Sequence, residues 1–465
     1  MRIRKTDTVE LWVDRMAYGG NGVARLDGFV IFVKGAVPGD RILARIVKRK
    51  KDYANANLVE IIDPSPDRVQ APCPYSGYCG GCNYQNLKYG RQLEYKKEQI
   101  KDSMARIGSI HDTLVHDVIP SDRIYGYRNK MEFSFSDRRW LPPEEFAKGL
   151  KHDDFGLGLH LPGIFFKVID VDACLLQNDT GNRILREVKR YVRESGVPVY
   201  GLKSNKGFWR FLTLRYSMAF DEWLVNLVTS EEDRDVLMPL AEKLCKGIDR
   251  VSSVVNNINT RKAAIAQGER EIILIGEGYI RDMIGPYSFQ VSANSFFQPN
   301  TLGAGKLYEK VLEYAELDGS EVVLDLYCGT GTIPIFLSKS VKQVIGMEIV
   351  ESAVLDANRN CELNNALNCR FILGDIREKL SEIDLKPDVL IIDPPRAGIH
   401  KDIMKGIMKM SVERVVYVSC NPATMARDIG RMSDKYMLKE IQPVDMFPHT
   451  YHIEAVAKMI LRKGS

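Results

Sequence analysis

The spacing of apolar residues changes character along this chain, and each change marks a different kind of unit. Short alternating runs come first, Val9–Val13, Phe29–Val33 and Ile42–Val47, with Gly19, Gly20 and Gly22 between the first two. A period of two with glycine at the turns predicts a small antiparallel barrel over residues 1–62. Pro64, Pro66, Pro72 and Pro74 then break the pattern and mark a linker. Tyr89–Ile107 reads as a charged amphipathic helix. From Tyr127 to about Ile280, strand-like runs (Lys130–Ser136, Phe211–Tyr216, Trp223–Val228) mix with helix-like ones (Thr180–Glu194, Glu232–Gly247), an α+β grammar with no internal repeat.

From about Val322 the order becomes strand, helix, strand, helix. Val322–Leu326, Gln343–Met347, Cys369–Leu373, Asp388–Ile392 and Val415–Ser419 are short and β-branched, separated by helical stretches such as Glu351–Asn364. Regular alternation predicts an α/β parallel doubly wound sheet, which binds ligands at its carboxyl strand ends. Met437–Arg462 predicts two further strands. The expected division is a barrel over 1–62, an α+β unit over 63–290 and an α/β unit over 291–465, with the helix within 89–118 free to pack on the last.

Composition narrows the classes. Hydrophobic residues make up 45% and charged residues 27% of 465 positions, an ordinary globular balance. Lys and Arg exceed Asp and Glu by 65 to 61, which neither demands nor excludes a nucleic-acid partner. The excess is local: residues 1–60 carry 12 basic against 7 acidic side chains, densest at Lys48, Arg49, Lys50 and Lys51. No apolar run approaches the roughly 18–20 residues of a membrane span, and Met-Arg-Ile-Arg-Lys-Thr-Asp is not the apolar start of a secretory signal. A cytoplasmic protein is expected, so the nine cysteines are thiols or metal ligands rather than a disulfide framework.

The strand Val322–Leu326 runs into Asp325-Leu-Tyr-Cys-Gly329-Thr-Gly331-Thr332, a glycine turn opening a helix. The third glycine of the dinucleotide fingerprint is missing, which counts against NAD. Asp325, Glu348 and Asp375 fall at successive strand ends, where Glu348 suits ribose hydroxyls and Asp375 an adenine amino group. That acidic series suits S-adenosylmethionine, whose sulfonium is positive. Cys420 sits at the lip of a further strand beside the same crevice, and Glu454 opens a strand near the C-terminus. A thiolate, a base and a methyl donor are what methylation of uracil carbon 5 needs: thiolate attack on carbon 6 makes carbon 5 nucleophilic, and a base then removes its proton.

Asp325-Leu-Tyr-Cys-Gly, Asp393-Pro-Pro-Arg, Ser419-Cys-Asn-Pro-Ala-Thr and Phe447-Pro-His-Thr-Tyr-His-Ile-Glu together resemble the RNA uracil-C5 methyltransferases, in that family's order and over essentially the whole chain. The resemblance implies a Rossmann-like class I methyltransferase sheet, Cys420 as nucleophile and Glu454 as base. By position it implies that Gln298, Tyr327, Glu348 and Asp393 contact S-adenosylmethionine, with Thr332 and Asp375 nearby, and that Phe296 can meet the target base. Tyr127-Arg-Asn-Lys-Met-Glu-Phe-Ser-Phe also resembles the family's central domain, where Arg128 and Lys130 could reach phosphates.

Two features point to a subgroup. Gly19-Gly-Asn-Gly-Val-Ala-Arg25 in its barrel resembles a TRAM domain, an OB-like RNA-binding module. Cys73, Cys79 and Cys82, spaced C-x5-C-x2-C, could hold zinc or an iron–sulfur cluster by their chemistry. They resemble the iron–sulfur segment of the ribosomal RNA enzymes, with Cys174 matching the distant fourth ligand, which implies a structural [4Fe-4S] cluster ahead of zinc. Asn86 departs from that pattern, where relatives often have histidine. The implied substrate is a loop or bulge uridine of 23S ribosomal RNA, acted on by a monomer. The alternatives are a transfer-RNA T-loop enzyme and a non-enzymatic iron–sulfur RNA-binding protein. Cys328 belongs to the cofactor turn, and Cys245, Cys361 and Cys369 suit ordinary packing.

Overall fold

The computed structural model describes residues 3–149, 155–383 and 386–463. Thr8–Met16, Asn21–Leu26, Phe29–Lys34, Arg41–Arg49 and Tyr53–Asp63 close into a five-stranded barrel. Its interior is filled by Val13, Ala24, Ile31, Val33, Ile42, Ala44, Ile46, Ala54 and Ala56, and the many alanines let so few strands close without a void. Buried Asp40 anchors the exit of the barrel, accepting from the Ser65 backbone at 2.9 Å and pairing with Arg68.

The middle of the chain builds a mixed eight-stranded sheet. Its inner strands, Lys130–Ser136, Trp209–Ser217, Glu222–Thr229 and Val251–Ile258, are nearly wholly buried, because the helices Asp179–Ser195 and Arg234–Gly247 cover them with Ile184, Leu185, Val188, Leu237, Leu240 and Leu244.

The third sheet runs in the order Cys369–Leu373, Gln343–Glu348, Val322–Leu326, Val389–Ile392, Arg414–Ser419, Glu454–Leu461, Tyr436–Val444, Leu114–Val115. The first five strands are parallel; Glu454–Leu461 turns antiparallel against Arg414–Ser419. This is the α/β doubly wound sheet that the alternation of strands and helices predicts. Helices cover both faces, and a hairpin, Tyr279–Ile284 with Tyr287–Ser292, joins the core beneath the sheet through Ile280, Ile284, Phe289 and Val291.

The helix Tyr89–Arg106 packs on this third sheet. Ile100 and Met104 enter its core beside Met425 and Ile429 of the helix Pro422–Met432. The chain approaches closely where the first helix ends: a Cβ on Gly108 would lie 2.8 Å from the Ala426 carbonyl oxygen, so glycine is required there. The same helix is pinned by a wholly buried ion pair, Lys96 Nζ to Asp445 Oδ1 at 2.6 Å. Tyr89 donates its hydroxyl to the other Asp445 oxygen at 2.9 Å. Among the described residues no helix is long and apolar enough to cross a membrane.

Candidate active site

The carboxyl ends of the third sheet's parallel strands lead into Tyr327, Glu348, Asp375, Asp393 and Cys420, and Glu454 opens the antiparallel strand beside Cys420. Val322–Leu326 ends at Tyr327, which adopts a left-handed φ of 68°, and the turn continues through Gly329 (φ 54°) and Gly331 (φ 75°) into the helix Thr332–Leu337. Gly331 is obligatory on two counts, because a Cβ there would also meet the Phe371 ring at 2.8 Å. Glu348, at the end of the neighbouring strand, shapes this turn by accepting from the Gly329 amide at 3.1 Å. Its other oxygen accepts from the Ile349 and Val350 amides at 2.8 and 2.9 Å.

Beneath the turn lies Asp325, fully buried, with neither carboxylate oxygen hydrogen-bonded to protein. Burial, reinforced by Asp393 and Glu348, pushes its pKa well above the usual carboxylate range. Burial also pushes Asp393 up, to about 6. Among the described residues none of these three acids has an ion-pair partner, and a cationic ligand in the crevice would supply the missing counter-charge and favour their ionised forms. Thr332 is engaged locally, its hydroxyl 2.8 Å from the Tyr308 hydroxyl. Asp375 is likewise engaged: it caps the helix Ile376–Lys379 and pairs with Arg377, which holds its carboxyl down at about 2. Gln298 is buried where the central sheet meets the third, its carbonyl accepting from Asn129 at 2.7 Å.

Cys420 and Glu454 meet by strand register. Ser419 pairs with Ala455 in the antiparallel ladder, so the next residue outward on each strand faces the other at the sheet's edge. Glu454 is buried, and burial, reinforced by Asp393, pushes its carboxyl well above its usual pKa. The Cys420 thiol is pushed up to about 11 by burial first, then by Glu454 and Asp393, while the positive charge of Arg396 pulls the other way. The resting thiol is therefore neutral at physiological pH, and its activation depends on added positive charge. Phe296 is 65% exposed, no core phenylalanine, and lines a cleft with Arg128 and Lys130.

Cys73, Cys79, Cys82 and Cys174 line one small apolar cavity. Burial raises all four thiols, Cys79 to about 11 and Cys82 to about 12. Among the described residues no three His, Cys, Asp or Glu side chains converge closely enough to hold a metal ion. Asn86 donates to the Gly35 carbonyl at 3.3 Å, tying this segment to the barrel. Both arms of the cysteine segment grip the turn that leads into Glu454. The Asn83 and Tyr84 amides, just past Cys82, donate to the His449 carbonyl at 2.8 and 2.9 Å. On the other side Tyr125 stacks on the His449 ring at 4.3 Å, and Tyr127 donates to the Pro448 carbonyl at 3.2 Å. The Gly126 and Arg128 amides bond Leu175 and Leu176, next to Cys174. His449 itself holds a left-handed φ of 65°.

Residues 241–463 match the family model described as tRNA (Uracil-5-)-methyltransferase. The chain is 39% identical to an uncharacterized RNA methyltransferase of Halalkalibacterium halodurans, over 99% of this chain and 98% of that one. It is 40% identical to another from Chlorobaculum tepidum, over 98% and 97%. Among solved structures, a Pyrococcus abyssi tRNA (uracil-54, C5)-methyltransferase in complex with S-adenosyl-L-homocysteine aligns with TM-score 0.76 and 31% identity, over 97% of this chain and 99% of that one. The chain belongs to the RNA uracil-5-methyltransferase family.

In this methyltransferase Tyr327, Glu348, Asp393 and Cys420 follow the carboxyl ends of adjacent strands, with Glu454 opening the strand beside Cys420; Gln298 lies off this rim, bonded to Asn129, and the four cluster-motif cysteines line a separate cavity. Sequence reading overlooked three contributors. Arg396 stands inside the quoted Asp393-Pro-Pro-Arg motif, and its charge acts on the Cys420 thiol, a role the motif alone did not suggest. His449 lies inside the C-terminal motif, and only its left-handed turn shows why a rigid mount is needed. Tyr18, from the barrel, packs its ring against Tyr451 at 5.2 Å; nothing local in the sequence ties it to a site more than four hundred residues away.

Proposed function

We propose that this methyltransferase methylates carbon 5 of a uridine in 23S ribosomal RNA, as a cytoplasmic monomer, with Cys420 as nucleophile and Glu454 as base. The observation that carries this is the facing of Cys420 and Glu454 at one strand edge beside the acidic crevice. S-adenosylmethionine supplies an electrophilic methyl group; Asp393, Glu348, Tyr327 and Gln298 would hold it. These acids have no counter-charge from the protein, which fits its sulfonium, and a cation placed there also lowers the pKa of the Cys420 thiol.

The Cys420 thiol gives up its proton to solvent, its thiolate sulfur bonds to carbon 6 of the uracil, and the ring electrons move to carbon 5. Carbon 5 takes the methyl group, leaving S-adenosylhomocysteine. Glu454 then accepts the carbon-5 proton, and the electron pair of that C–H bond reforms the ring double bond as the C6–S bond breaks. The raised proton affinity of buried Glu454 suits the accepting step. Turning the uridine out of its stack costs a few kcal/mol, least in a loop or bulge, and exposed Phe296 is placed to meet the base.

The four cysteines fit a [4Fe-4S] cluster. They surround one apolar cavity as thiols that burial holds neutral until a metal supplies charge. The cluster's role is structural, since the reaction passes no electrons.

The test is tritium release from 5-tritiated uridine in RNA with S-adenosylmethionine present. Cys420→Ala abolishes release, and Glu454→Gln accumulates RNA covalently attached to protein; wild-type release by either variant refutes its assigned role. A second reading, a transfer-RNA substrate, draws on the archaeal tRNA enzyme's match over barrel and cysteine segment alike, so domain content does not by itself separate the two substrates. Presenting 23S ribosomal RNA and transfer RNA to the purified enzyme decides between them.

A further inference from the structure

Between the strand Tyr287–Ser292 and the helix Thr301–Ala315 the chain runs as an irregular loop, 293–300, with no ladder to satisfy its backbone. Donors for its carbonyls come instead from two other parts of the molecule. From the central sheet, Arg215 donates through Nε and Nη2 to the Ala293 carbonyl, both at 3.2 Å, and through Nη2 to the Ser295 carbonyl. Asn129, just before the strand Lys130–Ser136, gives its side-chain amide to the Gln298 carbonyl at 2.7 Å and its backbone amide to that of Pro299 at 2.9 Å. From the cofactor crevice, the Thr330 hydroxyl of the glycine turn donates to the Phe296 carbonyl at 3.1 Å. Exposed Phe296 and buried Gln298 are thus carried on a segment strung between the central sheet and the cofactor turn.

Arg215 is a costly clamp. It is 1% exposed and forms no ion pair among the described residues, and burial lowers its guanidinium to about 10. A neutral donor would meet either carbonyl with far less desolvation; a guanidinium is the side chain whose rigid fork reaches both at once. The two carbonyls flank Asn294, and fixing them fixes the direction in which Phe296 leaves the loop. Arg215 is also the register partner of Lys130, which together with Phe296 lines a cleft of about 310 Å³. On the other side, Thr330 sits between two left-handed glycines, Gly329 and Gly331, so the backbone is permissive on both flanks of it. Gly329 is tied to Glu348. A ligand that settles against Glu348 or the turn therefore acts on Thr330, and through its hydroxyl on the backbone of Phe296.

We propose that the loop 293–300 couples the two substrates: Arg215 is a positioning residue for Phe296, and the Thr330 hydroxyl passes occupancy of the cofactor crevice to it, so that RNA and methyl donor each tighten the other's binding. This rests on the reading that Phe296 meets the target base and the glycine turn meets S-adenosylmethionine. A bound donor leaves Phe296 set for the base, and a bound base leaves the turn set for the donor; by linkage the two factors are equal.

The test measures the full chain's affinity for a short oligouridine by fluorescence anisotropy, without and with saturating S-adenosylhomocysteine. Calorimetry gives the affinity for S-adenosylhomocysteine without and with the oligouridine. The expected coupling factor is about fivefold or more, equal in both directions. Thr330→Val keeps the side chain's shape and loses the hydroxyl, and should bring the factor close to one; being a ratio, the factor is insensitive to a change in either affinity alone. Arg215→Met should weaken oligouridine binding as much as Phe296→Ala does, roughly tenfold for one lost base stack, and the double variant should bind no more weakly than either single. A merely structural Arg215 gives additive losses instead, which overturns the positioning role. A wild-type factor of one, or an undiminished factor in Thr330→Val, overturns the coupling, and Thr330→Val decides even where Arg215→Met fails to fold. Wild-type oligouridine binding by Phe296→Ala would show that the reading of Phe296 itself is wrong and bring the proposal down with it. A loss in Phe296→Ala beside an undiminished factor in Thr330→Val sinks the coupling alone.

Discussion

Replacing Lys96 by Met asks how firmly the segment leading into Glu454 is held. Lys96 and Asp445 are both wholly buried and 2.6 Å apart, and Lys96 also donates to the Phe447 carbonyl at 3.0 Å. Removing one member of a buried pair typically costs about 3–5 kcal/mol, because the other charge stays buried. Here Asp445 keeps the Tyr89 hydroxyl at 2.9 Å and the Phe447 amide at 3.2 Å, which favours the lower end, while the Phe447 carbonyl loses a donor. The expected loss is about 3–4 kcal/mol. It should appear locally, so the assay is amide hydrogen exchange across residues 445–453 rather than a global melt, which is ill-defined in a multidomain chain. Lys96→Met/Asp445→Asn should recover more than half of it. Exchange unchanged to within about 1 kcal/mol in Lys96→Met, or no recovery in the double variant, refutes the clamp.

Alkylation of Cys420 by iodoacetamide, read by mass spectrometry of its peptide, should rise about tenfold per pH unit from neutrality toward the thiol's pKa of about 11; Arg396→Ala raises that pKa and slows alkylation at pH 8. Asp393 titrates near 6, above an unfolded value of about 3.9, so its contribution to stability is full below that value and lost as pH rises through 6. Asp393→Asn should flatten that part of the stability–pH curve in urea titrations. Gly331→Ala should abolish S-adenosylmethionine binding in calorimetry, since both the φ of 75° and the Phe371 contact at 2.8 Å oppose a side chain. Cys174→Ser should lower the iron and acid-labile sulfide content of anaerobically purified protein and, through Leu175 and Leu176, raise exchange at His449.

The parallel sheet was legible because its signal is local. Each strand is a short β-branched run, and Val322–Leu326 and Cys369–Leu373 are found where the apolar pattern puts them. Lys130–Ser136 and the helix from Tyr89 are equally plain. What the pattern hides is pairing between distant segments. Leu114–Val115 is too short to register as a strand, yet it forms the far edge of the catalytic sheet beside Tyr436–Val444. The barrel strand Tyr53–Asp63 escapes notice because its inward positions are Ala54 and Ala56, whose small side chains give little hydrophobic contrast. The site divides the same way. Cys420 and Glu454 could be picked out by residue type and motif, but their facing comes from the Ser419–Ala455 register, and the burial that raises both comes from tertiary packing.

The edge strand at Leu114–Val115 has a consequence for how the chain is made. This segment and the helix before it leave the ribosome some three hundred residues ahead of their partners, Tyr436–Val444 and Asp445. At about 5–20 residues per second, that is a wait of roughly fifteen to sixty seconds with the apolar face of Ile100 and Met104 uncovered and Lys96 without its counter-charge. The barrel and the central sheet can settle during that interval, but the sheet that carries the chemistry can be completed only after translation has nearly finished. Birth order thus makes the catalytic rim the last part of the molecule to form. A nascent chain that stalls before Tyr436 would hold a finished barrel and central sheet beside a third sheet still lacking two of its strands.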